Sequence, residues 1–307
     1  GFLRHLPNPE PPEFLAPVAS PRQLHYRNKI VLHAVRTRDG TRLGYRIEPS
    51  HRVLDIRACP LACEPINRSL SALRDSPILR ALPHGANVTF RHTASDGAVW
   101  WTDAPRQAVP EPEYLTEESP VGPLLVPRDG FYQVNPEAGD ALVRTAASWF
   151  AASSPGCDIL DLYCGVGVFG FACLAAGGAR LIGVESGRNA VAAARHNASA
   201  LGMPAAFHCR ALGSATFDPR RWIADPSRTV VIVDPPRDGM SPDVCLALAS
   251  CGAARILCVS CDPATLARDL SRLLHGGAYR LRRAQLFDLF PRTAHFETLV
   301  ELARVTH

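Results

Sequence analysis

Residues able to do chemistry gather in four short segments in the second half of the chain. The first reads Asp161-Leu162-Tyr163-Cys164-Gly165-Val166-Gly167-Val168-Phe169-Gly170. Small residues in a turn between a strand and a helix let the backbone approach a ligand at the carboxyl end of a parallel sheet. A plain strand-to-helix turn can use glycine as well. Glu185 follows Gly165 by 20 residues and ends the next apolar run. A carboxylate there can accept hydrogen bonds from both ribose hydroxyls of a nucleoside. The spacing suits either a dinucleotide or S-adenosylmethionine. Asp161 ahead of the glycines favours the methyl donor, because a carboxylate repels a pyrophosphate.

The second segment, Asp234-Pro235-Pro236-Arg237, ends another apolar run. Two prolines stiffen the loop and would hold Asp234 close to the same ligand; the bland alternative is an aspartate that merely starts a helix. The third is Val259-Ser260-Cys261-Asp262-Pro263. Cys261 would face the same crevice, and a helix starting at Asp262-Pro263 would lower the thiol pKa through its dipole. Cys258 and Cys261 have the spacing of a redox dithiol, but Cys258 falls inside a predicted buried strand. A zinc site would need a second pair, for which Cys59 and Cys63 are the only loose candidates, so no metal is expected. The fourth segment runs from Phe287 to Glu297. A glutamate near a reactive cysteine is a candidate proton acceptor, although a glutamate at a strand start is commonly just solvated.

The pattern around these segments predicts their scaffold. From residue 129 onward, apolar strands alternate with helices. Strands are expected at Cys157–Leu162, Arg180–Val184, Thr229–Val233, Arg255–Val259, Arg280–Phe287 and Thr298–Val305. Helices are expected at Glu137–Ala152, Arg188–Leu201 and Ala264–Leu274. Apolar strands in alternation with helices mean a mostly parallel, doubly wound sheet covered on both faces, an α/β Rossmann-like domain over 129–307. Residues 22–102 read differently. Period-two strands at Lys29–Thr37, Thr41–Glu48, Arg52–Ile56, Asn87–His92 and Ala98–Thr102 flank a helical stretch, Pro65–Leu82. Asp39-Gly40 and Ser95-Asp96-Gly97 mark hairpin turns. This predicts a smaller antiparallel α+β domain. Residues 1–21 read as an N-terminal arm, and the proline-rich 103–128 as a linker.

Composition sets outer limits. At 307 residues, 47% hydrophobic and 20% charged, the chain has the make-up of about two globular domains. No run of about 18 uncharged apolar residues is present, so no membrane helix is expected. Ten cysteines in a long chain, several within apolar runs, fit a reducing cytoplasm better than a disulfide scaffold. The net charge is only +4, but Lys29 is the single lysine among 33 basic residues. Arginine forks suit phosphate and bases, although a GC-rich genome gives the same bias. Residues 22–57 hold nine bases against three acids, a net of +6, which points to an anionic partner for the small domain.

Taken together, the segments closely resemble the RNA uracil-C5 methyltransferase family, the enzymes that form 5-methyluridine in transfer and ribosomal RNA. The matching stretches are Phe131-Tyr132-Gln133-Val134-Asn135, the glycine turn from Asp161 to Gly167, Asp234–Arg237, Val259–Asp269 and His295-Phe296-Glu297. Tyr26-Arg27-Asn28-Lys29 and Cys59-Pro60-Leu61 resemble the family's RNA-contacting domain. The resemblance covers about 22–307. It implies S-adenosylmethionine as cofactor, with Gln133, Tyr163, Gly165, Glu185 and Asp234 around it. It implies Cys261 as the nucleophile that adds to uracil C6 and Glu297 as the base that removes the C5 proton. Arg27, Lys29 and Arg237 would contact RNA. A cytoplasmic monomer is expected, with ribosomal RNA ahead of transfer RNA as partner.

Three departures accompany the resemblance. Many relatives carry a β-barrel RNA-binding domain before this region, and none fits within the 21 leading residues. Some relatives hold an iron–sulfur cluster on four cysteines. Here only Cys59 matches a ligand and Pro11–Gln23 contains no cysteine, so no cluster is expected. Val168 and Ala211 stand where relatives often have asparagine or an acid near the donor. Two other readings compete: methylation of another target, such as an exocyclic amine, and RNA binding without catalysis. The pairing of Cys261 with Glu297 argues against both.

Overall fold

The computed structural model describes residues 11–47, 50, 52–103, 113–213 and 217–305. Two compact units emerge. One comprises Pro21–Glu118 and Tyr132–Glu137; the other takes the remaining described chain. Strand β1 (Glu13–Phe14) belongs to the larger unit, and the smaller unit follows it in sequence.

The smaller unit contains β2 (Lys29–Thr37), β3 (Gly40–Ile47), β4 (Arg52–Asp55), helices α1 (Glu64–Asp75) and α2 (Ile78–Ala81), then β5 (Asn87–Thr93), β6 (Gly97–Thr102) and β7 (Tyr114–Glu117). Five of its strands form an antiparallel sheet in the order β4-β3-β2-β5-β6. The period-two pattern works as expected: Ile30, Leu32 and Ala34 point to one face and are buried with Ile66, Leu70 and Leu73 of α1. The first hairpin turns one residue earlier than predicted. Thr37 pairs with Gly40, so Arg38 and Asp39 form the corner and Gly40 already starts β3. Arg91 and Glu117, both buried, form an ion pair at 2.7 Å, and Asn28 Nδ2 donates to the same carboxylate. Glu48 and residues 104–112, parts of the expected second strand and linker, lie outside the described residues.

The larger unit continues with β8 (Leu124–Pro127), α3 (Pro136–Ser153), whose first turn begins in the smaller unit, β9 (Asp158–Leu162), α4 (Val168–Ala175), β10 (Leu181–Glu185), α5 (Arg188–Ala200) and β11 (Ala205–Cys209). Then come β12 (Thr229–Val233), α6 (Pro242–Ala249), β13 (Arg255–Ser260), α7 (Pro263–Leu274), β14 (Tyr279–Phe287) and β15 (Glu297–Arg304). The sheet order is β1-β14-β15-β13-β12-β9-β10-β11. Every pairing is parallel except those of β15, which runs antiparallel between β13 and β14. This is the predicted α/β class, a mostly parallel sheet beside a separate antiparallel one. All five residues of β12 are buried, as the apolar run Thr-Val-Val-Ile-Val requires of a central strand covered on both faces. Strand order reverses between β9 and β12, which makes the crevice at their carboxyl ends the topological switch point.

Several elements depart from the sequence expectation. Part of the arm expected over 1–21 is a sheet edge: β1 pairs in parallel with β14, and Val18 bridges to Phe287. The expected linker contains β7 and β8, and β8 is tied to α5 by Asn197, which accepts from Leu125 N–H at 2.8 Å and donates to Leu125 O at 3.0 Å. β11 and α6 are further elements beyond those that the sequence pattern predicts. No helix among the described residues is long and apolar enough to cross a membrane.

Candidate active site

The glycine turn leaves β9 with three residues at positive φ: Tyr163 (59°), Gly165 (52°) and Gly167 (94°). Tyr163 is the informative one, because a bulky residue in the left-handed region stores about 1–3 kcal/mol of strain and such positions cluster at ligand sites. Asp161 is buried, and its Oδ2 accepts from Gly170 N–H at 3.0 Å. A Cβ at Gly170 would collide with that carboxylate and with Leu181, so glycine here is set by close packing. Asp161 Oδ1 is buried without a hydrogen-bond partner. Glu185, at the end of β10, turns back onto the glycine turn. Its Oε2 accepts from Gly165 N–H at 3.2 Å, and its Oε1 from Gly187 N–H at 2.7 Å and Ser186 Oγ at 3.0 Å. Asp234 follows β12 next door, with its N–H 3.4 Å from Leu162 O.

This rim is acidic. Burial pushes the Asp161 carboxyl up to about 8, against the Gly170 hydrogen bond and reinforced by Asp234 and Glu185. Burial alone takes Asp234 to about 7. The Asp161 shift has a consequence for stability. Its folded value lies above the ordinary 3.8, so the native state keeps a proton that the unfolded chain has lost. Stability from this group is full below the usual carboxylate range and falls as pH rises toward about 8. Asp161→Asn keeps an acceptor for Gly170 and removes the titration. Its melting temperature is expected to drop less than that of the wild type, by roughly a few degrees, between mildly acidic and mildly alkaline buffer. Parallel pH profiles for the two proteins would refute this.

Cys261 and Glu297 meet through strand register. The β13–β15 ladder ends on the pair Ser260 and Thr298. Because the strands are antiparallel, the next residue on one side is Cys261 and on the other Glu297, so the two sit across from each other at the same rim. Arg237 and Asp234 reach them from the loop after β12, close enough to shift both titrations. Glu297 is 5% exposed. Burial first, then Asp234, push its carboxyl up to about 8, with Arg237 opposing.

The expectation of a thiol lowered by the helix dipole is not met. Burial raises the Cys261 thiol, Glu297 raises it further, Arg237 lowers it and Asp234 raises it. The positive end of α7 is already taken: Asp262 Oδ1 accepts from Ala264 N–H at 2.9 Å and from Thr265 N–H at 2.8 Å. The cap carboxylate answers the dipole that was assigned to the thiol.

Of the expected site residues, Tyr163, Gly165, Glu185, Asp234, Arg237, Cys261 and Glu297 all lie on the carboxyl-end rim of the larger unit's sheet, where β15 starts. Gln133, Arg27 and Lys29 belong to the smaller unit. Gln133 is buried, Lys29 opens β2, and Arg27 packs its guanidinium over the Tyr26 ring at 5.8 Å. Val168 is the first residue of α4, and Ala211 is exposed just after β11. Asp161, the acid that the sequence places directly before the glycines, lies buried near the end of β9 at the same rim.

The family model described as tRNA (Uracil-5-)-methyltransferase matches residues 223–305, the stretch that carries Asp234, Arg237, Cys261 and Glu297. A second model, Conserved hypothetical protein 95, matches 138–253. An uncharacterized RNA methyltransferase of Thermosynechococcus vestitus is 31% identical over 350 residues, covering 95% of this chain and 75% of the relative. The chain belongs to the RNA uracil-C5 methyltransferase family. Within that family it is 39% identical over 182 residues to a 23S rRNA (uracil(747)-C(5))-methyltransferase of Shewanella baltica, covering 59% of this chain and 45% of the relative. It is 32% identical over 323 residues to a 23S rRNA (uracil(1939)-C(5))-methyltransferase of Chromohalobacter salexigens, covering 92% of this chain. The chain thus spans 45% of the first ribosomal relative and 66% of the second. In fold it is similar to the Pyrococcus abyssi tRNA (uracil-54, C5)-methyltransferase, solved with S-adenosyl-L-homocysteine, at a TM-score of 0.72 and 24% identity over 95% of this chain and 78% of that one.

Proposed function

We propose that the protein methylates C5 of a uridine in RNA from S-adenosylmethionine, through a covalent adduct between Cys261 and C6. The observation that carries this reading is the register that seats Cys261 opposite Glu297, with Arg237 beside them. Methylation of an exocyclic amine needs neither a thiol nor this base.

The rim fits the donor. Asp161 has a buried, unpartnered carboxylate oxygen, and Asp234 and Glu185 stand close by. Such a cluster suits a ligand bearing ammonium and sulfonium charges, whose approach would favour the ionised form of carboxyls that burial holds up. Glu185 would take the ribose, and Tyr163, Gly165 and Asp234 would line the rest. When bound, the donor supplies an electrophilic methyl group to the activated C5.

The chain's own groups do the rest. The Cys261 thiolate adds to C6, and the electron pair moves into an enolate that makes C5 nucleophilic. Arg237 offsets the negative charge gathered around the thiolate. After C5 is methylated, Glu297 takes the C5 proton. Elimination then re-forms the C5–C6 double bond and returns the thiolate. The target base must leave its stack to reach the thiol. Arg27, Lys29 and the basic stretch 22–57 would hold phosphates. Ribosomal RNA is favoured over transfer RNA, supported by the two 23S relatives above. The setting would be a cytoplasmic monomer.

The test is transfer of labelled methyl from the donor to unmodified ribosomal RNA fragments and, in parallel, to transfer RNA. Formation of 5-methyluridine in neither would refute the reading. Donor binding is checked separately with Glu185→Ala. Loss of a charged hydrogen-bonding partner costs about 1.5–3 kcal/mol, so calorimetry should show donor affinity weakened by roughly 10- to 100-fold. Unchanged affinity would remove Glu185 from the site.

A further inference from the structure

Arg237 is exposed on a loop, yet it must hold one position for its charge to act on Cys261. The loop is closed at its tip: Gly239 N–H donates to Pro236 O at 2.8 Å, which places Arg237 at the corner of the turn. Its exit is gripped by α7. Arg268 Nη2 donates to Asp238 O at 2.6 Å, and Asp269 Oδ2 accepts from Met240 N–H at 2.7 Å. Arg268 Nε donates to Asp269 Oδ1 at 2.9 Å, and Arg272 lies 3.5 Å from the same oxygen. Asp269 is 3% exposed, a buried carboxylate whose partner Arg268 holds the loop in turn. Gly239 adopts φ +74°, and a Cβ there would strike the Asp269 carboxylate and the Arg268 guanidinium, so loop and helix are in direct contact. The same helix begins two residues after Cys261.

We propose that Asp269 and Arg268 are positioning residues that fix Arg237 against Cys261, using α7 as the rigid spacer between the Asp234–Arg237 loop and the cysteine turn. This deepens the covalent reading above and rests on it. The groups that face the thiol are Glu297 from β15 and Asp234 and Arg237 from the loop after β12. Among these Arg237 is the cation, so displacing its guanidinium removes the group that lowers the thiol.

The test is the pH dependence of Cys261 alkylation by iodoacetamide in the whole protein without RNA, with the labelled site mapped by mass spectrometry. Arg237→Ala is expected to move the midpoint up by about one pH unit. Asp269→Ala and Arg268→Ala should move it in the same direction, and the Arg237→Ala/Asp269→Ala double variant should move no further than Arg237→Ala alone. Asp269→Asn, which keeps an acceptor for Met240, should recover part of the shift. Arg268 is 41% exposed, so Arg268→Ala gives a readable answer even if Asp269→Ala does not fold. A wild-type midpoint in folded Arg268→Ala and Asp269→Asn, or in Arg237→Ala, overturns the proposal. The parent reading fails by a different result, near-normal methyl transfer by Cys261→Ala, which leaves the alkylation midpoints untouched.

Discussion

Cys261→Ala is expected to abolish methyl transfer to RNA, a fall of about 10⁴-fold or more, and to form no adduct with RNA containing 5-fluorouridine. Uracil C5 is too weak a nucleophile to attack the methyl group unaided, so removing the group that adds to C6 removes the only route to an enolate. Fluorine at C5 replaces the proton that Glu297 would take. The wild type should therefore stop after methylation, still joined to RNA through sulfur, as a complex that survives denaturation. Two other cysteines of the rim strands and turns could compete with Cys261: Cys258 is 2% exposed and Cys164 is 7% exposed. Burial pushes both of their thiols well up. Cys261 is half-buried and is the thiol with Arg237 acting on it. Mapping of the adduct to Cys164 or Cys258, or methylation by Cys261→Ala close to wild type, would show that the thiol has been assigned wrongly. Because the Cys261 thiol lies above its ordinary value, adduct formation should rise with pH through the neutral range.

Glu297→Gln should separate the two halves of the reaction. The amide cannot accept the C5 proton, so turnover is expected to fall about 10²- to 10⁴-fold. Addition and methylation should still occur, and the variant should accumulate a covalent complex with ordinary RNA. The Glu297 carboxyl titrates at about 8 because it is buried beside Asp234. It acts as a base only when ionised, so in the wild type the release step should speed up as pH rises toward and through about 8. Single-turnover release measured against pH tests this. A Glu297→Gln variant that releases methylated RNA at the wild-type rate, or that keeps the same pH rise, would exclude Glu297 as the base.

Much of this site could be read from the chain alone because its parts are local. The glycine turn, Glu185 at the end of the next strand, the stiff Asp234-Pro235-Pro236-Arg237 loop and the Cys261-Asp262-Pro263 turn each depend on a few neighbouring residues. Their strands are largely apolar, so strand and rim could be placed together; Thr229–Val233 is found with the bounds the sequence predicts. Short or amphipathic pieces were less legible. β11 mixes Ala205, Ala206 and Phe207 with exposed positions, and β1 is two residues long. Each owes its place to a neighbouring strand's free edge, which no window of sequence contains.

The sequence by itself determined the class of sheet and where the rim segments fall along it, because residue type and short spacing suffice for those; the proposed pairing of Cys261 with Glu297 rests on the family resemblance. Only the tertiary structure decided how the pair meets and how it is charged. Cys261 and Glu297 are 36 residues apart, and what seats them opposite each other is the antiparallel insertion of β15 between β13 and β14. The thiol is raised, not lowered, because burial, Glu297 and Asp234 together outweigh Arg237; the amides at the start of α7 are meanwhile taken by the Asp262 carboxylate. Charge balance at a site sums over every group that folding brings near, and sequence proximity shows only the helix beside the cysteine.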